Sequence, residues 1–81
     1  MQKQVRFRVK KDLEPRQQLR VIKLKGSLIS KGYTEIIHIM DQDQQYHLNT
    51  FETPPDKQNE VRQYIAAFIS SENLSEAITI D

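Results

Sequence analysis

The chain reads as an α+β plait, a β-α-β-β-α-β order with a four-stranded antiparallel sheet and both helices on one face. Three observations predict it. Lys3–Lys10 alternates strictly between apolar Val5, Phe7, Val9 and polar Gln4, Arg6, Arg8, Lys10, the period-two pattern of a half-buried strand. Two segments carry helical periodicity, and each is preceded by a proline where a first turn tolerates one. Two β-rich stretches joined by a short acidic turn separate those helices, so right-handed crossovers make two βαβ halves with a hairpin between them.

The elements follow in order. Lys11-Asp12-Leu13-Glu14-Pro15 is a turn into a helix running from about Pro15 to Lys31, with Gly32 as its left-handed C-terminal cap. Leu19, Val21, Ile22, Leu24, Leu28 and Ile29 cover more than half of that helix's circumference. Arg16, Arg20, Lys23, Ser27 and Lys31 are left on a narrow ridge. So wide an apolar arc predicts contact with the sheet and with a second helix or another subunit. Lys25 falls inside the arc and is expected to snorkel, or to mark a register shift near Gly26.

Tyr33–Met40 reads as the second strand and Gln45–Glu52 as the third, around a polar turn Asp41-Gln42-Asp43-Gln44. A four-residue loop pairs Ile39 with Tyr46 and Ile37 with Leu48 on the core face, and a register slip of one residue would exchange the two faces. The loop sets His38 against His47 on the open face, beside Ile36, Met40, Asn49 and Phe51. Thr53-Pro54-Pro55-Asp56 predicts a capped helix start, and Val61, Tyr64, Ile65, Phe68 and Ile69 form its apolar stripe. The helix ends near Ser70-Ser71, and Glu76–Asp81 is a last strand with Ile78 and Ile80 facing in. Residues 1–81 thus make one domain of the ferredoxin-like plait type.

Composition narrows the function classes. The chain has no cysteine, so neither disulfides nor thiolate chemistry are expected, and stability must come from packing or a partner. No apolar run is long enough for a membrane span, and MQKQVRFRVKK has no signal-peptide core, so a cytoplasmic protein is expected. The net charge of +1 conceals asymmetry. Residues 1–32 hold ten basic and two acidic residues, and residues 33–81 hold two basic and nine acidic. Such a split polarises the surface and suits an anionic partner or head-to-tail self-association.

No phosphate-cradling glycine loop, His-Glu-x-x-His, cysteine nucleophile or nucleophile elbow is present, so no enzyme is expected, and no cofactor. No metal site is expected either: His38 and His47 lack a third ligand, and Asp41-Gln-Asp43 reads as turn chemistry rather than a calcium loop. The leading expectation is an interaction or regulatory module, a homodimer or a docking unit on a larger protein. Ile36, Met40 and Phe51 would supply its partner-binding contact.

The alternative is a salt-sensitive nucleic-acid binder. Arg6, Arg8 and Lys10 with His47, Asn49 and Phe51 on the open face would hold phosphates and stack a base, extended by the ridge Arg16, Arg20 and Lys23. In element order the chain resembles plait domains of the RNA-recognition-motif type, which use this surface. It departs from them in carrying Arg6 or Arg8 where the first-strand aromatic belongs, and its third strand QYHLNTFE lacks the Lys/Arg-Gly-aromatic pattern. Acylphosphatases share the order too, but their glycine-flanked Arg loop has no counterpart in KKDLEPR. Regulatory domains of the ACT type place an Asp-x-Pro-Gly-like turn after the first strand. Asp12-Leu13-Glu14-Pro15 is similar to it without the glycine, which makes a small-ligand regulatory domain a minor alternative.

Overall fold

A computed structural model describes residues 3–81. Strand β1 (Lys3–Lys10) pairs antiparallel with β3 (Tyr46–Thr53) along its whole length, and on its other side with β4 (Ile78–Ile80). The short strand β2 (His38–Asp41) borders β3, giving the order β2-β3-β1-β4. Helix α1 (Pro15–Ser30) links β1 to β2, and α2 (Gln58–Ser71) links β3 to β4. This is the ferredoxin-like plait.

One core explains the layers. Val5, Phe7 and Val9 are buried with Phe51, with Val21, Leu24 and Leu28 of α1, and with Val61 and Ile65 of α2. The alternate β1 residues Gln4, Arg6, Arg8 and Lys10 therefore project from the opposite, open face. Phe7 and Phe51 meet edge to face with centroids 6.4 Å apart.

Both helices stop where a left-handed residue turns the chain. Gly32 has φ 79°; its N–H reaches the Ile29 carbonyl while that of Tyr33 reaches Leu28, a Schellman closure. Asn73, at φ 59°, does the same after α2, and the following Leu74 is fully buried. At the start of α1, Glu14 N–H donates to Gln17 Oε1, half of a capping box, with Pro15 in the first turn.

Three expectations need correction. Tyr33–Ile37 is not strand, because the Schellman turn drives Tyr33 into the core and β2 begins only at His38. Thr53 does not cap α2. It ends β3 opposite Lys3, so alternation buries its side chain, and a 3-10 turn (Pro55–Lys57) leads into the helix instead.

The third correction is the hairpin register. Asp41 pairs with His47, Met40 with Leu48, Ile39 with Asn49 and His38 with Thr50. Asp43 Oδ1 accepts the N–H groups of Gln45 and Tyr46, closing a five-residue loop between Asp41 and His47. An odd loop exchanges the faces of β3, so Tyr46, Leu48 and Thr50 look outward.

Candidate functional site

The open face is built in rows across the sheet. Met40, Leu48, Arg8 and Thr79 form one row, and His38, Thr50 and Arg6 the next. Tyr46 stands opposite Lys10 at one end. Arg8 is the most constrained cation of the face. Its Nε lies 3.1 Å from Asp81 Oδ1, and its guanidinium carbon sits 5.8 Å from the centre of the Tyr46 ring. Arg6 is exposed, Lys10 half-buried.

Three residues expected on this face are elsewhere. Phe51 is 1% exposed and Asn49 is fully buried; both lie on the helix side, opposite Val5 and Phe7. His47 also belongs to that side, and its Nδ1 is 3.2 Å from Asp41 Oδ1. It cannot oppose His38, which points the other way. Among the described residues no group of three or more His, Cys, Asp or Glu is placed to hold a metal ion.

The α1 ridge does not join the strand cations, since it belongs to the other layer. Arg20 donates to the Glu72 carbonyl at 3.0 Å, Ser27 Oγ accepts from Tyr64, and Lys31 Nζ lies 5.0 Å from the Tyr64 ring centre. Lys23 sits 3.9 Å from Glu72 Oε1. Arg20 and Lys23 thus place positive charge at the C-terminus of α2, where the helix dipole favours it. Arg16 is exposed.

Among the described residues the exposed large hydrophobics fall into two groups: Leu19, Ile22 and Ile29 on α1, and Ile36, Ile39 and Met40 in and before β2. Ile36 is 62% exposed and Met40 52%. A cleft of about 1020 Å³ lies between the groups, lined by Ile29, Tyr33, Ile36, His38, Thr50 and Glu52 among others. Because β2 starts at His38, opposite Thr50, the last three residues of β3 run past it without a partner on that side. The outer side of β2 is one of the sheet's two open edges, β4 forming the other.

The turn behind the small-ligand expectation offers little. The Glu14 N–H is spent on Gln17, and the Leu13 carbonyl accepts from Gln18. Around it lie the carboxylates of Asp12, Glu14 and Glu76.

Tyr46, Leu48 and Ile39 are surface residues that sequence reasoning missed. The signal that could have found them is the eight-pair alignment of β1 with β3, which places Phe51 against Val5. No family model, curated protein or solved structure matches the chain. No helix among the described residues is long and apolar enough to cross a membrane.

Proposed function

We propose that the chain is a non-enzymatic interaction module that docks on protein through the β2 margin of its sheet. The observation that carries this reading is an unpaired edge strand bearing Ile39 and Met40, with Ile36 exposed just before it. Backbone N–H and C=O groups along such an edge accept an added strand, and the aliphatic side chains give that pairing contact area. Burying each exposed Ile or Met side chain favours association by about 1.5–3 kcal/mol before the entropic costs of binding. The partner is a second copy or a larger protein. With no cysteine to staple the fold, a reducing cytoplasm is the compartment proposed.

Site-specific photo-crosslinking tests it. A benzoylphenylalanine at position 39 or 40 should give discrete adducts in cells making the protein, whereas one at Ser71 should not. An adduct of twice the chain mass identifies a second copy. Equal labelling from all three positions, or none from 39 and 40, would remove the reading.

One observation keeps the nucleic-acid reading as a second proposal: Tyr46 is on the open face with Arg6, Arg8 and Lys10, in the role first given to Phe51. Base stacking on Tyr46 beside those cations would give binding that falls steeply with salt. Anisotropy of labelled random RNA and DNA oligomers should then show binding lost in Arg6→Glu. No binding at low salt eliminates it.

A further inference from the structure

Helix α1 has three faces with different surroundings. Val21, Leu24 and Leu28 enter the core, and Arg20, Ser27 and Lys31 reach α2 and its end. The third face, with Leu19, Ile22 and Ile29 exposed and Gly26 between them, meets solvent. Residues 19, 22, 26 and 29 have the three-four-three spacing of a and d positions over two heptads. In that frame Lys23 and Lys25 take the e and g positions that flank the seam.

Nothing inside the fold accounts for Gly26. A methyl group there would meet nothing within 4 Å, and glycine weakens a helix interior relative to alanine. What the missing side chain does provide is a notch in the apolar seam, into which a neighbouring helix can sink a large side chain.

We propose that this face of α1 docks an acidic amphipathic helix of a partner protein. Charge selects the occupant. The helix carries Arg16, Arg20, Lys23 and Lys25 and no carboxylate. Lys25 is half-buried, makes no ion pair among the described residues, and has its pKa pushed down by that burial. A partner carboxylate at an e or g position supplies the counter-charge. A second copy does not, because pairing in either direction sets lysine against lysine across the seam. This surface is distinct from the β2 edge, so the two readings stand or fall separately.

The test is titration of the full chain against a labelled three-heptad peptide with Leu at a and d and Glu at e and g. A companion peptide carries Lys at e and g. The acidic peptide should bind saturably and more weakly as salt is added. Ile22→Asp and Lys25→Glu should each weaken it by about ten-fold or more, while Met40→Asp leaves it unchanged. Circular dichroism melts should show both α1 variants folded. Absence of saturable binding, equal binding of the lysine peptide, or undiminished binding by a folded Ile22→Asp would overturn the proposal. So would binding to phosphatidylserine vesicles in place of the peptide, or a dimer by light scattering that Ile22→Asp abolishes.

Discussion

The Tyr33 hydroxyl donates a 2.7 Å hydrogen bond to Glu60 Oε2, clamping the segment between α1 and β2 onto α2. The ring is buried and stacks edge to face with Tyr64 at 5.9 Å. The bond to Glu60, then burial, then the nearby carboxylate charge all raise the phenol's pKa. A folded pKa above the unfolded value makes the contribution complete below about pH 10 and lost as pH rises through the folded value. Wild-type melting temperature should therefore fall more steeply in that alkaline window than that of Tyr33→Phe. Lys25, whose pKa is lowered, acts in the opposite sense in both proteins and cancels in the comparison. Parallel curves would show that the bond contributes nothing.

Phe51 and Met40 should separate core from surface. Phe51→Ala removes a ring packed on Phe7 and should cost about 3–5 kcal/mol. Met40→Ala, on the exposed margin, should change stability by no more than about 0.5 kcal/mol. Urea denaturation of the two variants checks both; comparable losses would place Met40 in the core.

Asn49 is a buried liability. Neither its amide oxygen nor its amide nitrogen finds a hydrogen-bond partner among the described residues. Asn49→Val, apolar and β-branched, should stabilise the fold by about 1–2 kcal/mol. A lower melting temperature would mean that the amide is satisfied in solution.

The two glycines should respond in opposite directions. Gly26→Ala adds a methyl into open space within a helix and should stabilise by about 0.5–1 kcal/mol. Gly32→Ala forces a side chain into φ 79° and should cost about 1–2 kcal/mol. Thermal melts of the pair decide; a destabilised Gly26→Ala would reveal a hidden constraint on α1.

Much of the plait was legible because its signals are local. Alternation in β1, the proline at the start of α1 and the glycine after it each act within a few residues. The site was less legible because its facing depends on long-range pairing. Locally, Tyr46 and Leu48 make a better apolar pair with β2 than Asn49 and His47 do. The winning constraint is the alignment of β3 with β1, which seats Phe51 between Val5 and Phe7 and turns Tyr46 out. On α1 the apolar arc was visible, but not which part of it the core would take. Arg20, Ser27 and Lys31 belong against α2 because Glu72 and Tyr64 receive them there, contacts made across 52, 37 and 33 residues of chain.

The place of β1 at the centre of the sheet bears on how the chain is made. Its partners on one side are residues 46–53, and on the other residues 78–80, which are made some 25 residues later. β1 and β3 can pair once residues 46–53 are clear of the ribosome, but the second flank of β1 stays unzipped until Ile78–Ile80 are free as well. During that interval the nascent chain exposes Phe7 and Val9 along an unpaired strand, the kind of surface that misassembles or recruits a chaperone.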